Sequence, residues 1–253
     1  MRPIEDMSVL ITGGGSGIGE GAAEHFVRRG ALVTITGRRA DRLREVSDRL
    51  GERCRVVVGD VTDADDRDEM VSAAVEHGTG LDALLSNAGR MYRSSVTELD
   101  EEQLVDVFNT NVVAGLMLVK QAHPHLLKSK GCVVFVGSVH TQRAFPGASP
   151  YAATKGALEA LTGVLAAEMG RDGIRVSCVR PGGVLTEINT AAGFLTPDEA
   201  KARADDMGVM HALGRGGTAE EIAEAFEYLV RADWTTGNVM TVDGGLGLGV
   251  TID

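Results

Sequence analysis

The sequence predicts an α/β domain built on a doubly wound, mostly seven-stranded parallel sheet with helices on both faces. Short apolar runs alternate with helix-like segments along the whole chain, which is the pattern of repeated βαβ units with right-handed crossovers. These runs are apolar throughout rather than every second residue, as expected of strands that helices cover on both sides.

The predicted elements follow one another in a regular order. Strands are expected at 8–13, 31–37, 54–60, 81–89, 132–138, 174–183 and 238–245. The helix-like segments between them lie near 17–29, 41–50, 64–77, 101–127, 150–169 and 219–231. No linker or low-complexity run divides the chain, so we predict one domain over residues 1–253.

One long segment, residues 184–217, interrupts this alternation. It begins after PGG, contains the polar, alanine-rich stretch TPDEAKARADDMG, and ends in GRGG. A connection of this length inside a compact domain is usually functional. We therefore predict a lid over the substrate.

Composition excludes some classes of partner. The chain has 25 lysines and arginines against 36 aspartates and glutamates, which gives a net charge of −11. Nucleic acids and anionic membrane surfaces require a basic face. We expect neither as a partner, and the expected ligand is a small molecule.

The cysteines and the amino terminus bear on location. Cys54, Cys132 and Cys178 are widely separated and have no metal-ligand spacing, so we predict reduced thiols and no metal. The chain starts without the apolar stretch of a signal peptide, and no run approaches the ~18 apolar residues of a membrane span. These features predict a cytoplasmic protein.

The first strand runs directly into the glycine-rich turn TGGGSGIG and then a helix. Gly13, Gly17 and Gly19 have the spacing G-x-x-x-G-x-G. Glycines let the backbone turn sharply and approach a pyrophosphate at the helix amino terminus. The turn predicts a dinucleotide site, with an ordinary tight turn as the alternative.

Two arginines follow the second strand. Domains of this kind often carry an acidic residue here for the adenosine ribose, whereas an arginine accommodates a 2′-phosphate. Arg38 and Arg39 follow Gly37, and no acid occurs before Asp41. The pair favours NADP (NADPH) over NAD, unless it is simply a solvent-facing basic pair.

A third pattern carries proton chemistry. Tyr151 and Lys155 lie four apart at the start of a helix, and so on one helical face. A neighbouring ammonium is expected to lower the pKa of a phenol. Ser138 closes the apolar run CVVFVGS, at the strand end where open α/β sheets bind ligands. Taken alone, the Tyr–Lys pair also fits a solvated helix face.

Together these pieces resemble the short-chain dehydrogenase/reductase family, a group with the Rossmann-type fold, over nearly the whole chain. The matching pieces are TGGGSGIG, Asp60 of GDV, SNAG, Asn111, Ser138, YAATK, PGG and TGNVMTVDGG. Ser86 departs from the family, which usually has asparagine there, and we expect little loss because serine also offers a hydroxyl.

The resemblance implies a hydride transfer between a nicotinamide and a carbonyl or secondary alcohol. In that role Tyr151 is the acid and base, Lys155 lowers the pKa of Tyr151 and binds the nicotinamide ribose, and Ser138 holds the substrate oxygen. Asn111 would hold a water, or instead bond backbone across a helix kink.

The resemblance also implies the cofactor contacts. Asp60 and Val61 would line the adenine, although Asp60 could instead cap the segment after its strand. The remaining residues assigned to the phosphates, the central cleft and the nicotinamide are Gly13, Gly15, Ser16, Gly17, Ile18, Gly19, Asn87, Ala88, Gly89, Pro181, Gly182, Val184 and Thr186.

The substrate is the least determined feature. SVHTQRAFPG and LTEIN are similar to glucose 1-dehydrogenases, so His140 and Asn189 could face a sugar or polyol. 3-Oxoacyl thioesters and other secondary alcohols are alternatives, and Arg90, Arg93 and Arg143 could receive an anionic substrate. His140 could equally be a loop histidine bonded to backbone.

The resemblance further implies a homotetramer or homodimer. Apolar residues in the helices at 101–127 and 150–169 are candidates for the interface, or for plain packing on the sheet: Val112, Leu116, Val119, Leu158, Leu161 and Leu165. A catalytically silent NADP-binding regulatory protein on the same fold is the rival to an enzyme.

Overall fold

The computed structural model describes residues 1–184 and 208–250. Within this part, parallel strands form one sheet in the order β3-β2-β1-β4-β5-β6-β7, where the strands are β1 (Ser8–Thr12), β2 (Leu32–Gly37), β3 (Cys54–Val58), β4 (Ala83–Ser86), β5 (Cys132–Val136), β6 (Arg175–Pro181) and β7 (Val239–Val242). The predicted seven-stranded parallel sheet is confirmed.

The strand order reverses beside β1. The chain moves outward from β1 to β3 and then returns to place β4 on the other side of β1. Ile11 is level with Ile35 of β2 and with Leu85 of β4. The loops after β1 and β4 therefore leave in opposite directions and open a crevice at the carboxyl edge of the sheet, where such folds bind ligands.

The helices match the predicted segments with one exception. They are α1 (Gly17–Arg28), α2 (Ala40–Leu50), α3 (Ala64–Gly78), α4 (Glu101–Phe108), α5 (Ala114–Ser129), α6 (Ser149–Met169) and α7 (Ala219–Arg231). The segment predicted as one helix over 101–127 is α4 and α5 joined by a π-helical turn at Asn109–Val113.

An apolar core covers each face of the sheet. Phe26 of α1 and Phe226 of α7 pack on one face with Ile11, whereas Leu118 of α5 packs on the other with Leu10. Successive residues of a strand point to opposite faces. Residues that point to either face must therefore be apolar, which explains why apolar and polar residues do not alternate along the strands.

A buried histidine joins α1 to α7. The His25 ring has no exposed surface, and Nδ1 lies 2.8 Å from Glu220 Oε1. Its Nε2 lies 2.7 Å from Glu227 Oε2. Arg29 and Arg231 also pair with Glu227, so this carboxylate is balanced by several cations.

The two ends of the predicted lid are joined. Val184 forms a parallel bridge with Gly217, and the Gly217 N–H donates to the Gly183 carbonyl at 2.8 Å. The Gly183 N–H donates to Nε2 of the buried His211 at 3.2 Å. Thr186, Asn189 and the middle of the lid lie outside the described residues.

Candidate active site

The glycine turn has the tight geometry that a phosphate site requires. Gly13 and Gly17 have φ angles of +68° and +58°, a region that favours glycine. A Cβ on Gly19 would overlap the Gly13 carbonyl oxygen. Ser16 precedes α1 without capping it through its side chain, so the first N–H groups of the helix can bind an anion.

Thr12 and Asn87 hold this turn against β4. The Thr12 hydroxyl accepts the N–H groups of Asn87 and Ala88 at 3.0 and 2.9 Å. Asn87 Nδ2 donates to the carbonyls of Thr12 at 2.8 Å and Gly13 at 3.3 Å. Thr12 is not among the residues that the sequence singled out, although a polar side chain ending a buried strand is a recognisable signal.

Both predicted arginines lie beside the turn. Arg39 Nη2 donates to Ser16 Oγ at 2.9 Å. Arg38 Nη1 lies 3.6 Å from Asp60 Oδ2, and its side chain is 77% exposed. Arg39 is therefore held beside the start of α1, and Arg38 lies beside Asp60 of the loop after β3.

Asp60 has more partners than the sequence indicated. Its Oδ1 accepts the N–H and hydroxyl of Thr62 at 2.9 and 2.8 Å. Burial opposes the charge of Asp60, but these hydrogen bonds and Arg38 outweigh it and lower the pKa. Asp60 therefore caps the loop after β3, as the alternative interpretation expected, and it is ionised beside Arg38.

Ser138, Tyr151 and Lys155 meet at the carboxyl end of β5. All three side chains are buried, and the Ser138 hydroxyl lies close enough to the Tyr151 phenol to act on its pKa. Lys155 Nζ lies 5.4 Å from the centre of the Tyr151 ring and donates to the Val136 carbonyl at 2.7 Å. The arrangement can offer two hydroxyl donors to one oxygen with a cation behind them.

The pKa of the phenol differs from the sequence-based expectation. Burial raises the pKa of Tyr151 to about 12, although the Ser138 hydrogen bond opposes the shift. Burial also lowers the pKa of Lys155 to about 8. The net shift of the Tyr151 pKa is therefore upward rather than the expected downward one, because burial penalises the charged phenolate.

Asn111 lies in the π-helical turn and is buried. Its Oδ1 accepts the Arg90 N–H at 2.8 Å, and its Nδ2 donates to the Arg90 carbonyl at 2.9 Å and to Thr154 Oγ1 at 3.0 Å. Asn111 thus bonds backbone, as the alternative stated, but the backbone belongs to the loop after β4. A Cβ on Gly89 would lie 3.2 Å from Asn111 Oδ1 and 3.7 Å from Lys155 Nζ.

His140 contacts the catalytic group directly. Nδ1 lies 2.9 Å from Ser138 Oγ. The ring packs edge-on against Tyr151 at 5.2 Å and against Phe145 at 4.4 Å. Burial lowers the pKa of His140 to about 4, with smaller effects from Arg93 and Lys155, so the ring is neutral at neutral pH.

The arginines considered for an anionic substrate are largely engaged within the protein. Arg90 pairs with Asp106 and donates to Gln103 at 2.8 Å. Arg143 donates to the Leu246 carbonyl at 3.1 Å. Arg93 donates to a loop carbonyl, that of Pro146, at 3.1 Å.

The remaining predicted cofactor residues occupy two places. A small cavity at the β1–β4 crevice is lined by Val61 and Ala88, together with Thr12 and Ser86. Ile18 instead packs toward the core, and Gly15 lies beside Leu43.

Pro181, Gly182 and Val184 continue from the end of β6. A larger cavity of about 450 Å³ lies between Gly182–Val184, residues 212–217 and residues 241–245. Ser138, Tyr151 and Lys155 do not line it, so this cavity does not enclose the place where those three side chains meet. Within residues 1–184 and 208–250 no cluster of His, Cys, Asp or Glu could hold a metal, and no helix there is long and apolar enough to span a membrane.

Comparisons with known proteins agree with this geometry. A family model described as enoyl-(acyl carrier protein) reductase matches residues 13–247. A glucose 1-dehydrogenase from Gluconobacter oxydans is 33% identical over 248 residues, covering 95% of this chain and 91% of the relative.

Crystal structures extend the agreement to the fold. A short-chain dehydrogenase/reductase of unknown function from Caenorhabditis elegans, determined with cofactor, has a TM-score of 0.92 at 30% identity, covering 98% of this chain and 97% of the other. A 3-ketoacyl-(acyl-carrier-protein) reductase from Brucella melitensis complexed with NADH has a TM-score of 0.88 at 28% identity, covering 96% and 99%. The chain therefore belongs to the short-chain dehydrogenase/reductase family, whose members are oxidoreductases that use a nicotinamide cofactor.

Proposed function

We propose that this protein transfers a hydride between a nicotinamide cofactor and a carbonyl compound or secondary alcohol, with Tyr151 as acid and base. The observation that carries the proposal is the buried meeting of Ser138, Tyr151 and Lys155 at the end of β5. The bound cofactor gives or accepts the hydride, and the protein supplies position and a proton.

The side chains act on the substrate oxygen. In reduction Ser138 and Tyr151 donate to the carbonyl oxygen, and their hydrogen bonds strengthen as negative charge develops there. A phenol whose pKa is about 12 holds its proton until that charge appears. The Lys155 ammonium then stabilises the phenolate that remains. Oxidation follows the same steps in reverse.

The phosphorylated cofactor, NADP, is part of the proposal. Arg38 and Arg39 lie beside the glycine turn, and a guanidinium makes paired bonds to phosphate. Thr12, Asn87 and the start of α1 would hold the pyrophosphate turn in shape, while Asp60 and Val61 would contact the adenine.

For the substrate we propose a neutral carbonyl or alcohol, with sugars or polyols, secondary alcohols and 3-oxoacyl thioesters as the classes to test. The similarity to a glucose 1-dehydrogenase supports the first class. The engagement of Arg90 and Arg143 within the protein argues against dedicated anion recognition at those two residues.

The homotetramer or homodimer also remains a proposal, but its interface residues change. Leu158, Leu165 and Val119 are buried in the chain's own core, so they are unavailable to a partner. The exposed apolar residues of these elements are Val105, Val113, Leu127 and Val164, at 62%, 47%, 42% and 54% exposure. The cytoplasmic location is likewise a proposal. It is supported by the three cysteines, which are free and buried, as is usual in a reducing compartment.

A cofactor-coupled absorbance screen over the three substrate classes tests the activity. We expect turnover that falls about 1000-fold in Tyr151→Phe, with cofactor binding retained. Tyr228→Phe is the control, because this tyrosine lies in α7 and is 41% exposed. Tight NADPH binding without turnover on any substrate would favour the silent regulatory protein instead, and normal turnover of Tyr151→Phe would mean that the proton comes from another group.

A further inference from the structure

The Ser138 hydroxyl has three polar neighbours in the protein, and its single proton can be donated to only one group at a time. A hydroxyl has one proton to donate and two lone pairs that accept. The His140 backbone N–H, 3.3 Å from Ser138 Oγ, takes one lone pair. His140 Nδ1 at 2.9 Å and the Tyr151 phenol compete for the other lone pair and the proton.

The tautomer of His140 decides this competition. If Nδ1 lacks a proton, it accepts the Ser138 proton, and Ser138 then has none for a substrate. If Nδ1 carries the proton, it donates to the second lone pair of Ser138. The Ser138 proton must then point into the cleft, toward Tyr151 or a substrate oxygen.

The surroundings of the ring favour a proton on Nδ1. The charged groups that act on the ring are cations, Arg93 and Lys155, and a lone pair on Nε2 interacts with cations better than an N–H does. Among residues 1–184 and 208–250, Nε2 has no hydrogen-bond partner.

We infer that His140 is a positioning residue whose Nδ1–H donates to Ser138 Oγ and thereby directs the Ser138 proton to the substrate oxygen. The inference rests on the proposed function for its catalytic consequence. The contacts with Phe145 and Tyr151 fix the ring plane, and of the two ring orientations in this plane the structure has the one in which Nδ1 faces Ser138. A donor behind Ser138 also makes its hydroxyl a stronger donor in turn.

Nitrogen NMR tests the tautomer without any substrate. In protein labelled with ¹⁵N-histidine and saturated with NADPH, the signals lost in His140→Gln identify this ring. We expect the Nδ1–H tautomer and a shift of its Nδ1 signal in Ser138→Ala. An Nε2–H tautomer in the cofactor complex would overturn the inference, whatever the enzyme is found to turn over.

Kinetics of matched variants test whether the orientation of the Ser138 proton affects turnover. The amide nitrogen of Asn reaches the place of Nδ1, whereas that of Gln reaches further, toward Nε2. On any substrate from the screen we expect kcat to fall about 10- to 100-fold in His140→Gln and His140→Ala. In His140→Asn it should stay within a few fold of the parent value, and KM should change little throughout.

A double variant separates positioning from general disruption. In the Ser138→Ala background, His140→Ala should have no further effect on kcat, because the hydroxyl that it orients is gone. The inference would be contradicted if His140→Ala lowered kcat in the Ser138→Ala background by as much as it does in the parent. A normal kcat in His140→Gln would also contradict it. If the parent enzyme has no turnover, the proposed function fails, and the NMR result still decides the tautomer.

Discussion

Tyr151 and Lys155 have opposite pKa shifts because burial penalises whichever form carries the charge. The phenol is therefore a protonated donor at neutral pH, and the ammonium stays charged up to a pH of about 8. Above that pH Lys155 loses its proton, and the phenolate that forms after proton transfer loses its stabilising cation. The pair is thus suited to donating a proton near neutrality.

Arg38 should control the choice between cofactors. Arg38→Asp removes a guanidinium and places a second carboxylate near Asp60, so a 2′-phosphate would meet repulsion. We expect the ratio of kcat/KM for NADPH over NADH to fall about 10- to 100-fold, the size of one or two charged hydrogen bonds. Arg44→Asp, an exposed change of the same charge in α2, should leave the ratio unchanged, and equal efficiency with both cofactors in the parent would refute the preference.

His140 should make the fold sensitive to acid. Its pKa is lowered from 6.5 to about 4, so between these values the unfolded chain binds a proton that the native ring does not. Stability therefore falls as pH decreases from 6.5 to 4 and gains no further penalty from this residue below 4. Urea unfolding at pH 7 and pH 4.5 should show His140→Asn losing about 2 kcal/mol less than the parent. An identical loss in both proteins would contradict the lowered pKa.

At the scale of elements, the π-helical turn is the main departure from the sequence-based prediction. The apolar residues of 101–127 continue through Asn109–Val113, so their spacing resembles one helix. A π turn contains an extra residue, and such turns are frequent at functional sites. Here the turn carries Asn111, which clamps the Arg90 backbone. No local signal distinguishes this from a regular helix, because the reason for the turn lies in a distant loop.

The contact between α1 and α7 should depend on His25. His25→Ala removes a buried ring and leaves a cavity, and Glu220 and Glu227 each lose a hydrogen-bond partner. We expect a loss of about 2–4 kcal/mol in the free energy of unfolding by urea. Arg28→Ala, whose side chain is 62% exposed in the same helix, should change it by less than about 1 kcal/mol. Similar losses in both variants would mean that the His25 contacts add nothing beyond the helix itself.

At the scale of the whole molecule, two groups of exposed apolar residues bear on assembly. Val105, Val113 and Val164 belong to α4, the π-helical turn and α6. Trp234, the one tryptophan of the sequence, lies between α7 and β7 and is fully exposed in a single chain. Exposed apolar residues of this size are typical of surfaces that another chain covers.

Val164→Glu should therefore dissociate the proposed oligomer, because a carboxylate would be buried at the contact. We expect sedimentation velocity to show a smaller species, with the cofactor still bound. Val58→Glu, the same substitution at a residue 48% exposed in β3, is the control. A parent protein that sediments as a monomer, with Trp234 fluorescence typical of full solvent exposure, would refute the oligomer.

The sequence predicted the parallel sheet and the shared helical face of Tyr151 and Lys155, because strand patterns and an i, i+4 spacing are local, but it did not predict the order of the strands. The sequence did not predict the direction of the Tyr151 pKa shift, nor the residues that hold the site in shape. The raised pKa of Tyr151 comes from burial by several elements. The role of Thr12 comes from contacts across the crevice, and that of His140 from the orientation of its ring toward Ser138. Those contacts join residues that are far apart in sequence or that depend on ring orientation.

The central place of β1 in the sheet has a consequence for synthesis on the ribosome. This strand is translated first and pairs early with β2, but its opposite edge lacks a neighbour until β4 has emerged. Until then a nascent chain displays an open strand edge, which is prone to pair with other chains. Because Asn87 also secures the glycine turn, the nucleotide cannot help to protect that intermediate. Chaperone demand should therefore be greatest while residues between β3 and β4 are being translated.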